Sequence, residues 1–336
     1  MAIKGNRFRF LLLLAVCVLP LWSQEWKVVS EHRQRSFPHS VPAGNYSGIA
    51  PLGDGLYAVV DDKTKEDGFH VMRVAIDSLS GEILSVVHER FVGNGQPNRD
   101  SEGIVYLRDS ERLWISGEAD NQIREYALDA QPTGRTLPLP ESYAHLSRQY
   151  GLESLAYDAI SRTFYTVNES TLPADGAQAS SVNGKANLLR IAAIPAGEGS
   201  PRELFYQMDA PAAHRTAAQY AMGVSELLVL PDQRLLVLER EAFVPRGKIG
   251  AFVACKLYVV DPRENTTSSR PLSKRLLCSW RTKLNLTARG WANYEGMCLG
   301  PRLIDGSQVI ILLSDSQVRY AGVLKDWWKT LVIRKE

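Results

Sequence analysis

The sequence predicts an all-β fold, a β-propeller of five blades. Three observations predict it. A hairpin pattern recurs five times, further short apolar strands follow most hairpins, and no long stretch keeps the 3.6-residue period of a helix. The recurring hairpins are YSGIAPLGDGLYAVVDD from Tyr46, DSEGIVYLRDSERLWISGEAD from Asp100 and GLESLAYDAISRTFYTVNES from Gly151. The last two are GVSELLVLPDQRLLVLERE from Gly223 and NYEGMCLGPRLIDGSQVIILLSDS from Asn293. Each joins a short apolar strand to a second through a turn rich in Gly, Asp or Pro, and each second strand ends on an acid. The starts lie roughly 50–70 residues apart, the length of a four-stranded blade with its loops.

Third and fourth strands are legible in order. FHVMRVAID and EILSVVHERFV follow the first hairpin, and QIREYALD and GRTLPLP the second. NLLRIAAI and RELFYQM follow the third, and KLYVVD and KRLLCSW the fourth. After the fifth comes only YAGVLKDWWKTLVI. The missing strand is expected at the other end of the chain, where EWKVVSEHRQRSF resembles EILSVVHERFV. Residues 25–37 would then close the last blade and remove an exposed edge. Six blades are the alternative, but they require a blade that the sequence does not display.

The first 23 residues read as a signal peptide: Lys4, Arg7 and Arg9 precede the apolar run FLLLLAVCVLPLW, which is short for a membrane span. Cys17 within it is a lipoprotein candidate, although a bulky Val16 stands where a small residue is expected. No other run approaches the ~18 apolar residues of a span. The expectation is therefore a secreted or periplasmic propeller over residues 24–336, monomeric and without a membrane span. A net charge of +2 over 336 residues gives no electrostatic footprint for nucleic acid. Cys255, Cys278 and Cys298 remain, an odd number that matches no zinc spacing. A Cys255–Cys278 bridge and free buried thiols are both open.

Innermost strands of a propeller begin near its axis. Aligning the hairpins brings Ser47, Glu102, Glu153, Glu226 and Glu295 to one small space. Crowded carboxylates must protonate or bind a cation. An all-oxygen ring suits a hard ion, Ca²⁺ before Mg²⁺. A second ring, at the ends of the second strands, holds Asp61, Asp62, Glu118, Glu169, Glu239 and Asp315 as candidate acid–base groups. Loop bases on that side include Arg99, Arg240 and Arg319, and Lys63, Arg124, Arg148, Arg215 and Arg289 are the candidates for holding an anionic substrate. Three long loops, STLPADGAQASSVNGKAN, DAPAAHRTAAQYAMG and RTKLNLTARGWAN, are positioned to wall the mouth. Ser101 and Ser154 adjoin ring glutamates, but strand alternation turns them from the axis. His214, alone in an Ala-rich loop, reads as a surface residue.

DSEGIVY, LWISGEAD, GLESLAYD, FYTVNES and YEGMCLG…ILLSDS resemble the exported proteins grouped as esterase-like activity of phytase, over about residues 40–325. That resemblance implies hydrolysis of phosphate or carboxylic esters. The central ring is also similar to that of calcium-activated nucleotidases, five-bladed propellers that hold one Ca²⁺ with Ser and Glu from successive inner strands. That similarity implies Ser47, Glu102, Glu153, Glu226 and Glu295 as ligands, with Asp61 or Asp62 near the substrate. The chain departs from it where Glu226 stands in place of a second Ser, and the nucleotidases' base-binding residues have no clear match. The reading is an exported metal-dependent hydrolase of small phosphate esters. Its rival is a non-catalytic propeller that binds a ligand or partner around a structural Ca²⁺.

Overall fold

The computed structural model describes residues 24–146, 151–284 and 290–336. Strand β1 (Trp26–Glu31) comes first. Blade 1 follows with β2 (Tyr46–Gly53), β3 (Leu56–Asp61), β4 (Glu66–Ile76) and β5 (Ile83–Pro97). Blade 2 is β6 (Ser101–Leu107), β7 (Arg112–Gly117), β8 (Gln122–Tyr126) and β9 (Pro132–Thr136). Blade 3 is β10 (Ala156–Asp158), β11 (Thr163–Val167), β12 (Leu188–Pro195) and β13 (Arg202–Gln207). Blade 4 is β14 (Gln219–Val229), β15 (Leu235–Val244), β16 (Phe252–Val260) and β17 (Lys274–Lys283). The chain ends with β18 (Asn293–Arg302), β19 (Gln308–Asp315) and β20 (Trp328–Lys335).

These strands form five four-stranded antiparallel sheets. Four of them follow chain order. The fifth runs β1-β20-β19-β18, so the N-terminal strand is the outer strand of the last blade. The six-bladed alternative is excluded, and the closure expected from residues 25–37 is the one observed.

Burial explains each strand's place. β19 (QVIILLSD) is buried along nearly its whole length, as a second strand covered on both faces must be. β9 (PTGRT) is exposed throughout and carries the Pro and Gly that an outer strand tolerates. Apolar side chains gather in five large clusters, one at each blade interface. Val59 and Met72 meet Ile311 and Leu313 between blades 1 and 5, and Val237 meets Ile191 between blades 4 and 3.

Inner strands approach so closely that side chains are excluded at points of contact. A Cβ on Gly296 would lie 2.5 Å from the Ser47 carbonyl oxygen of the next blade. Gly48 and Gly103 abut the backbones of Glu102 and Leu155 in the same way. This backbone-to-backbone packing explains the glycine that follows the ring residue in three of the five hairpins.

The thiols are free. On the neighbouring strands β16 and β17, Cys255 pairs with Trp280 and Cys278 with Leu257. The two sulfurs are therefore diagonal and no bridge forms. Among the described residues, no helix is long and apolar enough to cross a membrane.

Candidate functional site

Hydrogen-bond register aligns the five hairpins better than sequence does. Asp62 donates its backbone N–H to Asn45, Glu118 to Asp100, and Glu169 to Gly151. Arg240 pairs with Gly223 and Asp315 with Asn293. The equivalent second-strand positions are thus Asp62, Glu118, Glu169, Arg240 and Asp315. One step further along the first strands, Tyr46 pairs with Asp61, Ser101 with Gly117, Leu152 with Asn168, Val224 with Glu239 and Tyr294 with Ser314. The residues that follow, Ser47, Glu102, Glu153, Ser225 and Glu295, form the inner ring. The sheet register is irregular next to it in blades 1, 2, 4 and 5, and such bulges re-aim side chains at functional rims.

This register corrects two placements in blade 4. Ser225, not Glu226, is the ring equivalent, and Arg240, not Glu239, is the second-ring equivalent. Glu226 occupies the position that Gly48, Gly103, Ser154 and Gly296 hold elsewhere. It is buried and accepts the backbone N–H groups of Leu227, Leu155 and Met297, which tie blade 4 to blades 3 and 5. Glu239 faces the other way. It accepts Tyr206 Oη at 2.7 Å and pairs with Lys274 Nζ at 2.6 Å.

At the hub lies a cavity of about 870 Å³. Glu102 and Glu295 line it from the first strands, Glu153 from just ahead of β10, and Asp62, Glu118, Glu169 and Asp315 from the ends of the second strands. Burial first, and neighbouring carboxylates second, push Glu102, Glu153 and Glu295 well above the usual carboxylate range. Burial likewise raises Asp62 to about 6 and Asp315 to about 7. Glu169 is raised by burial, while Arg240 and a hydrogen bond with Glu153 hold it down. Asp62, Asp100 and Glu102 bring carboxylate oxygens within 4.8 Å of one another.

Arg240 is the buried cation of this hub. Its Nη2 meets Glu169 Oε1 at 2.7 Å and its Nη1 meets Glu295 Oε1 at 2.7 Å. Nη1 also donates to Asn293 Oδ1 at 2.9 Å, while Nε has no partner. The guanidinium compensates part of the charge and no more. Lys63 Nζ lies 3.0 Å from Asp62 Oδ2 and also bonds Asp100.

Several expected residues stand elsewhere. Asp61 is spent on local structure, accepting the N–H groups of Asn45 and Lys63 at 3.0 Å. Arg124 pairs with Asp120 at 2.6 Å, and Arg215 donates to the Ile249 carbonyl at 3.2 Å; neither lines the cavity. His214 is exposed. Cys17, Arg148 and Arg289 lie outside the described residues.

Sequence reasoning missed the β15–β16 loop, whose Arg246 and Lys248 line the cavity rim. It also missed Tyr320 beside them. Two of the long loops do reach the mouth, through Gln219 and Tyr220 and through Leu284 and Trp291. The first instead packs on blade 4, where Gln178 donates to the Met222 carbonyl at 3.2 Å.

The fold and site define a five-bladed propeller with an acid-lined axial cavity. The chain belongs to the phytase-like family, described as esterase-like activity of phytase, whose model matches residues 41–317. No curated protein matches it. Several solved structures resemble it distantly. A streptogramin B lyase is 13% identical, with a TM-score of 0.38, over 91% of this chain and 98% of that one. A putative gluconolactonase is 12% identical, with a TM-score of 0.37, over 92% and 95%. A Bacteroides thetaiotaomicron protein of unknown function is 10% identical, with a TM-score of 0.40, over 93% and 76%. The blade assignment rests on strand order, not on these likenesses.

Proposed function

We propose that this protein is an exported, metal-dependent hydrolase of phosphate esters. The observation that carries the reading is the convergence of carboxylates from four blades on one partly enclosed cavity, with Arg240 as their sole buried counter-charge among the described lining residues. The residues fit a hard cation. The donor set is all oxygen, Ser47 Oγ is buried without a hydrogen-bond partner, and so is Asp62 Oδ1. Glu102, Glu153 and Glu295, with Ser47, would hold the ion, and their number favours Ca²⁺ over Mg²⁺. Held there, such an ion would supply Lewis acidity toward a phosphoryl oxygen and toward water.

The protein's own groups do the rest. Arg240, with Arg246 and Lys248 at the rim, binds and orients the anion. Asp62 and Asp315 flank the glutamates; a carboxylate oxygen there takes the proton of the water that bonds phosphorus and gives it to the alcohol oxygen whose P–O bond breaks. The walls restrict water around the reacting group.

The test is turnover of p-nitrophenyl phosphate by the full chain, with Ca²⁺ and after chelation. Chelator-sensitive turnover that is lost in Glu153→Gln, with the circular dichroism spectrum intact, is expected. No turnover, with chelation only lowering the melting temperature, replaces the hydrolase with the non-catalytic binding propeller.

A further inference from the structure

The cavity lining has two unlike parts. Besides the acids of blades 1, 2, 3 and 5, the lining has an apolar part drawn from blade 4, the loop after it and the β19–β20 loop: Ala242, Val244, Ala251, Leu284, Trp291 and Leu324. Tyr220 and Tyr320 continue it toward solvent, and the β15–β16 loop adds Arg246 and Lys248. Lys248 Nζ sits 5.6 Å from the centre of the Tyr320 ring.

We propose that this apolar lining receives the organic part of the ester, and that the substrate is a phosphate monoester of an apolar, aromatic alcohol rather than a polyphosphorylated polyol. The proposal rests on the hydrolase reading of the same cavity and narrows its substrate class. Charge supports it first. The described lining contains seven acids and three bases, Arg240, Arg246 and Lys248. A divalent ion at the hub leaves acids in excess. A polyol with six phosphates brings roughly ten negative charges at neutral pH, and the lining lacks the surplus of bases that would offset them. A single phosphate needs only the ion, Arg240 and one rim base.

Polarity supports it second. Polyol hydroxyls lose water on entry and require hydrogen-bonding partners, whereas this part offers the half-buried Ala242, Val244, Leu284 and Leu324, backed by the buried Trp291. An aromatic ring fits such a surface, and its flanking tyrosines suit edge or offset stacking. Size agrees as well, because about 870 Å³ is the space of a drug-sized ligand.

Binding is tested without catalysis. Titration of the Ca²⁺-loaded full chain compares 1-naphthylmethylphosphonate, methylphosphonate and inositol hexakisphosphate by calorimetry, with tryptophan fluorescence reporting contact near Trp291. The naphthyl ligand is expected to bind at least roughly tenfold more tightly than methylphosphonate. The difference should vanish in Ala218→Trp, which fills the mouth from an exposed lining position; Ca²⁺ affinity should not change. Equal binding of the two phosphonates, or tighter binding of inositol hexakisphosphate, overturns the proposal. Failure of the hydrolase reading looks different: the naphthyl ligand binds as expected but no phosphate ester is turned over.

Discussion

Blade 4 and the other four blades build the same hub from different chemistry. Blades 1, 2, 3 and 5 each send an acid from the end of the second strand, whereas blade 4 sends Arg240. Blades 2, 3 and 5 place a glutamate on the inner ring, whereas blade 4 places Ser225, whose Oγ donates to the Tyr294 carbonyl at 3.1 Å. Its glutamate is displaced by one residue, into the slot where three blades keep glycine and one keeps Ser154. The lesson is that the repeat conserves backbone register, not residue identity. The odd blade supplies the internal counter-charge and, with the loops beside it, the apolar part of the lining, so the cavity has a direction.

The largest effect expected from breaking this asymmetry comes from Arg240→Ala. It strands Glu169 and Glu295 in a buried site and should cost about 3–5 kcal/mol in urea unfolding of the metal-free protein. A cost under about 1 kcal/mol would show that the four acidic blades do not depend on the fifth. Next is pH. The folded-state values of Asp62, about 6, and Asp315, about 7, lie above the unfolded carboxylate value. The folded protein therefore binds the extra protons, and the stability these groups contribute is fully present below pH 4 and lost as pH rises through 6 and 7. The metal-free melting temperature should fall by roughly 5 °C between pH 5 and 8, and saturating Ca²⁺ should flatten that slope. A metal-free melting temperature that rises over this range contradicts the account of the acidic blades.

Glu226→Gln is the mildest change and the sharpest on register. Burial keeps Glu226 well above the usual carboxylate range, and the amide oxygen can accept the same backbone N–H groups. Stability should change by less than about 1 kcal/mol, and Ca²⁺ affinity by less than about twofold. Glu102→Gln should weaken Ca²⁺ by at least tenfold or so, since it removes a charged ligand oxygen. Equal losses in the two variants, measured by calorimetry, would return Glu226 to the ring.

Much of this was legible in the sequence, and the failures have one cause. Strands such as VIILLSD and LYAVVDD announce themselves through apolar runs bounded by turn residues. Closure by the N-terminal strand was legible because an outer-strand pattern was missing at one end and surplus at the other. Glu226, Glu239 and Asp61 were misplaced because a slip of one residue moves a strand side chain to the opposite face. Matching hairpins on their acids hides such a slip, and irregular pairing beside the ring makes it unavoidable by eye. Arg246 and Lys248 belong to a loop whose length and composition do not reveal which way it folds.

One consequence follows from β1 being the outer strand of the last blade. The segment synthesised early has no partner until β20, some 300 residues later, has emerged. Until then β1 is an unpaired edge, with which a second chain can pair as readily as its own terminus. Deleting Trp26–Glu31 would leave the last blade with three strands and β20 with an unpaired outer edge, a place for a second chain to add its own strand.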